Sequence, residues 1–331
     1  MKPKIGLVGY FGWGNFGDEL FVDAHREHLS EHFDLEVVSD MTVAPYLSDA
    51  RVDSLKDFDA FLIGGGDLIN PAAISSLYWR QEYLEKPVFV YGIGVPQPAK
   101  KASKSISYYQ EFFRHKNTKC TVLRDIESKR YFDSVIQPAV AAVTYPDAVC
   151  AMTLPKAVPS ESKLLGVTIR SHGSVVGGYE HVRRAVNQAK ELGYKVRIIV
   201  MGNGKLGAAD HEVSQDFLEE DEELVYSESL DDICVAIGEC HQLISIKFHG
   251  MIVAAMYGVP SLQLSSTAKN RNFLRYIQRL DMLSSYNSDD LFERVSRYPV
   301  PLHSLLRTKL KRDSRAGYAH LIACMRAELG I

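Results

Sequence analysis

The sequence is poor in cysteine, and its cysteines follow no motif. The 331 residues contain five of them, Cys120, Cys150, Cys234, Cys240 and Cys324, without a C-x-x-C pair. This scatter excludes a small disulfide-stapled scaffold and offers no zinc-ribbon spacing. We therefore expect buried thiols in a reducing cytoplasm and no metal in the functional site.

The chain also lacks an excess of either charge and any long apolar run. Thirty-eight basic against 41 acidic side chains leave a net charge of −3, so no global basic field is present and nucleic acid is not the expected partner. No apolar stretch approaches the roughly 18 to 20 residues that cross a bilayer. The first ten residues run into a glycine-rich loop instead of a signal-peptide cleavage site. We expect a soluble protein.

Alternating strand and helix patterns predict the fold class. The predicted strands are Lys4–Tyr10, Leu35–Val38, Ala60–Ile63, Val88–Tyr91, Cys120–Leu123, Leu164–Arg170, Lys195–Met201, Gln242–Ile246 and Ser261–Leu264. The predicted helices are approximately Asp18–His32, Ala102–His115, Tyr179–Leu192, Leu230–Cys240, His249–Tyr257 and Lys269–Leu280. This alternation is typical of right-handed βαβ units and parallel sheets. We predict an α/β protein of two similar halves with a cleft between them.

The domain boundaries follow from composition. A segment containing Pro146, Pro155 and Pro159 reads as a linker, which divides the chain into residues 1–158 and 159–300. Residues 301–331 form a helical tail that either stays separate or packs back on the first domain. Its basic residues are Arg307, Lys309, Lys311, Arg312 and Arg315. They favour either peripheral contact with an anionic membrane or a solvated helix face.

The loop after the first strand, Gly12–Glu19, satisfies G-x-G-x-x-G, and Asp40 follows at about the spacing of a ribose-binding acid. However, Asp18 and Glu19 occupy the first helical turn, where they would repel a pyrophosphate. A polar, hydroxyl-rich ligand suits this loop better than a dinucleotide. The alternative is that the two acids only complement the helix dipole.

Two further glycine-rich segments follow predicted strands. Gly64-Gly65-Gly66-Asp67 would let the backbone approach a ligand, and Asp67 can accept hydrogen bonds from hydroxyls. Gly92-Ile93-Gly94 repeats the arrangement. A tight turn with Asp67 as a helix N-cap is the structural alternative.

Positively charged side chains are predicted at the carboxyl ends of strands in both halves. Arg124 ends one strand, Arg170 and His172 another, and Lys247 a third. His249 then opens a helix, whose N-terminus adds to anion binding. Either these are separate surface ion pairs and a structural histidine, or they hold an anionic ligand across the cleft.

These motifs occur in an order that resembles a known family. They are Asn15-x-Gly17-Asp18, Gly64-Gly65-Gly66, Arg124-Asp125-x-x-Ser128, Ser245-x-Lys247-x-His249-Gly250, Gly258-Val259-Pro260 and Lys269. Over roughly residues 4 to 280 the pattern resembles the polysaccharide pyruvyltransferases. The resemblance implies two Rossmann-like domains in a GT-B-like arrangement. It also implies transfer of the enolpyruvyl unit of phosphoenolpyruvate onto sugar hydroxyls of a polysaccharide or lipid-linked precursor in cell-envelope biosynthesis. The products would be a pyruvate ketal and phosphate.

The resemblance also implies roles for particular residues. His249 would be catalytic, with phosphoenolpyruvate as co-substrate and no other cofactor or metal. Residues expected to bind the donor are Arg124, Arg170, His172, Lys247, Gly250 and Lys269. Residues expected on the acceptor side are Asn15, Gly17, Asp18, Gly65, Gly66 and Asp67.

Two departures from the family pattern keep other functions open. Lys247 stands where the family usually has an arginine, and lysine lacks the bidentate fork that suits carboxylates and phosphates. Residues Ser265–Ala268 stand where the family tends to have a Tyr-Asp pair. The alternatives are a GT-B nucleotide-sugar glycosyltransferase and a diverged, non-enzymatic carbohydrate-binding protein. The sequence leaves the acceptor sugar and the oligomeric state open.

Overall fold

The computed structural model describes residues 2–38, 55–96, 104–171, 178–297 and 300–331. The chain divides into two compact units. The first consists of residues 1–13, 18–152 and 310–331, and the second of residues 14–17 and 153–309. The predicted boundary lay between 158 and 159, with a helical tail from 301 that either stays separate or packs back on the first domain. Here the C-terminal residues from 310 belong to the first unit, and the short segment 14–17 belongs to the second.

The first unit is an α/β layer structure. Its strands are β1 (Lys4–Val8), β2 (Asp34–Val37), β3 (Ala60–Gly66), β4 (Val88–Ile93), β5 (Thr118–Leu123) and β6 (Val143–Thr144). Its helices include α1 (Phe16–Leu29), α2 (Lys104–Arg114) and α3 (Ile126–Tyr131). The strands pair in parallel in the order β2-β1-β3-β4-β5-β6. Successive connections leave β1 and β3 in opposite directions, so their carboxyl ends define a topological switch point.

The second unit repeats this architecture with a different strand order. Its strands are β7 (Leu164–Thr168), β8 (Lys195–Ile199), β9 (Glu223–Val225), β10 (Gln242–Ser245) and β11 (Ser261–Gln263). Its helices include α4 (Glu180–Glu191), α5 (Gly204–Phe217), α6 (Leu230–Gly238), α7 (Phe248–Tyr257), α8 (Ala268–Tyr276) and α9 (Leu291–Arg297). The parallel order β11-β10-β7-β8-β9 places the switch point between β7 and β10.

The C-terminal helix α10 (Ser304–Leu329) begins in the second unit and ends in the first. Three of its basic residues contact backbone or rings within their own unit. Arg307 donates to the Tyr257 carbonyl at 2.9 Å, Lys309 lies over the Tyr276 ring, and Arg315 donates to Ala151 O at 3.1 Å. Among the helices in the described ranges, none combines the length and apolar character needed to cross a bilayer.

The predicted strands and helices are confirmed, and their ends differ by a few residues. The predictions were wrong in leaving out α3, β6, α5, β9 and α9. β6 and β9 are two and three residues long, too short for a periodic pattern. The α5 sequence contains two glycines, Gly204 and Gly207, which weaken its helical signal.

The glycine triplet 64–66 was predicted to lie after the strand, and this position was wrong. It is the buried end of β3 and pairs with β4, Gly64 opposite Tyr91 and Gly66 opposite Ile93. A Cβ at Gly65 would lie 3.1 Å from Phe21 Cγ, and one at Gly92 would lie 2.9 Å from Phe21 Cε1. These glycines therefore make room for the Phe21 ring of α1.

A buried histidine lies beneath α10 in the first unit. His25 of α1 is 1% exposed, and its Nδ1 lies 3.0 Å from the Tyr318 hydroxyl. The rings of Tyr91 and Tyr318 pack on it at 6.0 and 5.8 Å. Burial, aided by the nearby His28, lowers the pKa of His25 to about 3. His25 is therefore neutral in the folded protein.

We predict that stability falls below neutral pH because of this histidine. The unfolded chain binds a proton near pH 6.5, and the folded chain does not. The stabilisation is therefore complete above that value and is lost as the pH falls toward 3. His25 alone lowers the free energy of unfolding by about 2 kcal/mol between pH 7.5 and 5.

Urea unfolding at the two pH values measures this change. The variant His25→Gln keeps a hydrogen-bond acceptor for Tyr318 and removes the titration, so its midpoint should depend less on pH. An unchanged pH dependence in His25→Gln would show that other groups cause it.

Candidate functional site

The switch point of the second unit is held by two buried hydroxyls. Thr168 at the end of β7 and Ser245 at the end of β10 are both fully buried, and their Oγ1 and Oγ atoms lie 2.8 Å apart. Parallel strands that pair side by side but connect to opposite faces leave room beyond their carboxyl ends. The residues that follow these two strands therefore line the place where such sheets bind ligands.

The turn after β10 positions the start of α7. The Lys247 amide donates to Ser245 Oγ at 3.1 Å, and Lys247 is the N-cap of α7 in extended backbone conformation. All residues from Phe248 to Ala255 are buried, as in a helix packed on every side. The N-terminus of α7, with its positive dipole end, is thus fixed at the switch point.

His249 lies in the first turn of α7 between close backbone neighbours. It is 8% exposed, and its ring lies 4.9 Å from the Phe248 ring. A Cβ on Gly17 would lie 1.7 Å from His249 Nδ1, and one on Gly250 would lie 2.5 Å from Ser245 Oγ. Only glycine at 17 leaves room for this imidazole, whereas glycine at 250 leaves room for Ser245 Oγ.

The segment 14–17 reaches His249 because it is anchored to the end of β8. Asn203 donates its backbone N–H to the Gly14 carbonyl at 2.8 Å, and Asn15 forms an antiparallel bridge with Gly202. Gly14 has φ +79°, and a Cβ there would lie 1.8 Å from Asn203 O. Asn15 and Gly17, predicted on the acceptor side, therefore lie in the second unit, where Gly17 is beside the predicted catalytic histidine and Asn15 pairs with Gly202.

A buried carboxylate connects the loops after β7 and β10. Asp210 of α5 is 5% exposed, pairs with Lys247 Nζ at 2.6 Å and accepts the Ser171 N–H at 2.8 Å. A buried charge requires such partners. The sequence reasoning missed Asp210 because it missed α5, and no motif marks this acid. Part of the Lys247 charge is therefore balanced inside the unit.

Two more predicted donor residues lie near these loops. The Arg170 N–H and carbonyl both bond the Tyr179 hydroxyl, at 3.2 and 2.7 Å. Arg170 Nε is buried without a hydrogen-bond partner among the described residues. Lys269, near the start of α8, places Nζ 5.6 Å from the centroid of the Phe248 ring. His172 lies outside the described residues.

Arg124 was also predicted to bind the donor, and it lies in the first unit. Its side chain is 2% exposed and forms ion pairs with Asp67 and, at 3.7 Å, with Asp147. Burial opposes its charge, but Asp67 and Asp147 together raise the pKa of Arg124. A Cβ at Gly94 would lie 2.8 Å from Arg124 Nε. The guanidinium stays charged, and two carboxylates already balance it.

The rest of the Arg-Asp-x-x-Ser motif is structural. Asp125 caps α3 by accepting the Ser128 N–H at 2.8 Å, and the Ser128 hydroxyl also bonds this carboxylate at 2.9 Å. Ser128 Oγ in turn accepts the Val95 N–H at 2.9 Å. The motif therefore fixes the segment that follows β4 against α3.

The acids of the first glycine loop have different surroundings. Glu19 accepts the Gly12 N–H at 2.9 Å and so holds the loop. Asp18 is 8% exposed, and its Oδ1 lies 3.2 Å from where a Cβ of Gly66 would be. Thus Asp18, Gly66 and Asp67 lie at the carboxyl ends of β1 and β3 in the first unit, while Glu19 has a structural contact.

Solved structures place the fold in a class. MnaA of S. aureus, solved with UDP, has a TM-score of 0.63 at 12% identity, over 100% of this chain and 97% of that one. UDP-GlcNAc 2-epimerase of Neisseria meningitidis, solved with UDP-GlcNAc, has a TM-score of 0.63 at 13% identity, over 98% and 100%. Anabaena HepE, solved with UDP-glucose, has a TM-score of 0.53 at 10% identity, over 99% and 95%. The protein therefore has a GT-B-type fold of two Rossmann-like domains.

A match to a family model defines the protein more specifically than its fold does. The family model for polysaccharide pyruvyl transferase matches residues 15–266, more than half of the chain. The chain belongs to the polysaccharide pyruvyl transferase family, and it is a transferase of polysaccharide biosynthesis with a saccharide acceptor. The matched region begins at Asn15 and contains Lys247 and His249. A comparison with curated protein sequences finds no match.

We predict that Gly17→Ala destabilises the second unit through the His249 ring. A Cβ cannot stand 1.7 Å from Nδ1, so the ring or α1 must move, at about 1–3 kcal/mol. Alanine otherwise favours a helix by about 1 kcal/mol over glycine. Thermal unfolding of Gly17→Ala, alone and with His249→Ala, measures the effect. The loss should largely disappear in the double variant, and an equal loss in both backgrounds would place the clash elsewhere.

Proposed function

We propose that this protein transfers the pyruvyl group of phosphoenolpyruvate onto hydroxyls of a saccharide, forming a pyruvate ketal and releasing phosphate. The observation that carries the proposal is the position of His249 beside Lys247 at the N-terminus of α7, at the switch point of the second unit. Membership of the polysaccharide pyruvyl transferase family supports it.

The charges of the second unit suit this donor. Phosphoenolpyruvate carries a carboxylate and a phosphate, which attract fixed cations and a helix N-terminus. Lys247, Arg170 and Lys269 supply the cations, and Asp210 balances part of the Lys247 charge. Arg170 Nε, buried without a hydrogen-bond partner among the described residues, gains one when an anion binds.

The reaction balances with two acceptor hydroxyls. The first hydroxyl gives up its proton and its oxygen bonds to C2 of phosphoenolpyruvate, while C3 gains a proton and becomes a methyl group. The C2–O bond to phosphate then breaks, and its electron pair leaves with the phosphate. The second hydroxyl oxygen bonds to C2 and releases its proton, which leaves one cyclic ketal and one phosphate.

In this proposal His249 moves the protons. An imidazole can accept a proton from the attacking hydroxyl and give one up near neutral pH. Gly17 lies against the ring and limits its position, and such orientation supplies part of a rate enhancement. Lys247 and the start of α7 stabilise the negative charge that develops on the departing phosphate.

Gly17, which lies beside His249, and Asn15 of the same segment are proposed to meet the acceptor. The polar groups of the first unit, Asp18 and Asp67, are proposed to bind further hydroxyls of the saccharide. Asp67 also holds Arg124, so an acceptor hydroxyl there would donate to a carboxylate that keeps its ion pair. We further propose a cytoplasmic location, at the inner face of the membrane where envelope glycans are assembled.

A nucleotide sugar is the competing donor. Two observations favour it. The three solved structures described above contain UDP, UDP-GlcNAc and UDP-glucose. The strand order of the second unit is also that of Rossmann folds that bind nucleotides. This alternative would use the same switch point, so ligand binding separates the two.

We predict that His249→Gln reduces phosphate release from phosphoenolpyruvate in the presence of acceptor by about 10²–10⁴-fold. Glutamine keeps hydrogen bonding but cannot carry a proton. The measurement is a phosphate assay at saturating donor. His241→Gln is the matched control, since His241 lies before β10 and bonds the Leu164 N–H at 3.2 Å. Near-normal turnover in His249→Gln would remove His249 from the chemistry.

We predict that phosphoenolpyruvate, and not UDP-glucose, stabilises the protein against heat. A ligand at a hundredfold excess over its Kd contributes about 2.7 kcal/mol, visible as a rise in Tm. Lys247→Gln, which can still bond Asp210, should weaken this rise, whereas Lys247→Arg should preserve it. A rise with UDP-sugars alone would support the competing donor instead.

A further inference from the structure

Two thiols and an imidazole lie close together in the first unit. Cys120 lies on β5, and His320 and Cys324 lie one turn apart on α10. One ligand atom of each residue lies within 4.8 Å of the other two. Cys324 Sγ and His320 Nε2 are 3.7 Å apart.

These separations are close to those around a tetrahedral metal ion. Zinc binds thiolate sulfur at about 2.3 Å and imidazole nitrogen at about 2.0–2.1 Å, which places the ligand atoms about 3.5–3.8 Å from one another. The observed spacing therefore needs an adjustment of about 1 Å or less on binding. Two thiolates and an imidazole are also ligands that zinc prefers over magnesium or calcium.

The surroundings of the cluster leave one side open. Cys120 is 3% exposed, whereas His320 and Cys324 are half-buried. The Tyr145 ring lies 5.9 Å from the His320 ring and limits its orientation. Three protein ligands with solvent on one side match zinc sites that keep a water in the fourth position.

A second cluster in the second unit serves as a contrast. The carboxylates of Glu219, Asp221 and Glu222 also lie within 4.8 Å of one another. Lys190 pairs with all three, at 2.8, 2.7 and 2.9 Å. A lysine ammonium already neutralises this group, so it is an ion-pair network.

We propose that Cys120, His320 and Cys324 bind a zinc ion that fastens α10 to β5. An ion pair between Lys119 Nζ and Glu328 at 2.7 Å joins the same two elements one helical turn further along. The bound ion replaces a weak sulfur–imidazole contact with three coordinate bonds. Because it binds only the folded arrangement, it stabilises the first unit in proportion to the logarithm of the zinc concentration.

The test uses the full chain, purified with reduced thiols and without chelators. Titration with Co²⁺ should give thiolate-to-cobalt charge-transfer absorption at one equivalent, and Zn²⁺ should displace it. Zinc should also raise Tm. Cys324→Ala should abolish the absorption and the rise in Tm, whereas Cys234→Ala, which removes one thiol from the second unit, should keep both.

Two results would overturn the proposal. The first is the absence of charge-transfer absorption in the reduced wild-type protein. The second is absorption that persists unchanged in both Cys324→Ala and His320→Ala. The cluster lies in the first unit, and its test measures metal binding. The result therefore does not depend on whether the protein transfers a pyruvyl group.

Discussion

The parallel pairing of β7 with β10 is the constraint on which the candidate site depends. It brings the hydroxyl oxygens of Thr168 and Ser245 within 2.8 Å of each other. The chain continues from the two strands in opposite directions along the sheet, so right-handed connections leave them toward opposite faces. The room that remains is bordered by the loop at Arg170 and by the first turn of α7. Because all residues from Phe248 to Ala255 are buried, His249 cannot shift without repacking the core. A helix N-terminus and an imidazole are therefore held at one point.

Carboxylates form ion pairs with the cations in both units. Asp210 is bound to Lys247 in the second unit, and Asp67 and Asp147 are bound to Arg124 in the first. Each cation is thereby fixed in one position, since removal of its carboxylate partner would leave an uncompensated charge. The two units differ in the ratio of carboxylates to cations. In the described part of the chain, Arg124 has two carboxylate partners, and this excess of acceptors suits hydroxyl groups that donate hydrogen bonds. Lys247 has one carboxylate partner among the same residues, and this balance suits an anion better. This division agrees with a donor bound by the second unit and hydroxyls bound by the first.

The sequence predicted the long, periodic elements and the order of the motifs, and both depend on local pattern. It also placed Lys247 and His249 at one helix start, because they directly follow a predicted strand, whereas Lys269 came from the family resemblance. It could not show that Gly14–Gly17 lies against His249, since that contact depends on Asn203 and Gly202, nearly two hundred residues later. Asp210 carries no motif, and its role emerges only from its distance to Lys247. The glycines at 65 and 92 were read as loop glycines, although the steric demand of Phe21 explains them.

The central claim is that the protein joins a three-carbon unit to sugar hydroxyls through C2 of phosphoenolpyruvate. Mass spectrometry of a saccharide panel incubated with the protein and isotopically labelled phosphoenolpyruvate tests it most directly. We expect the acceptor saccharide to gain the mass of labelled pyruvic acid less one water, with one phosphate released per adduct. A saccharide that instead gains a hexose from a UDP-sugar, and never a label from phosphoenolpyruvate, would contradict it.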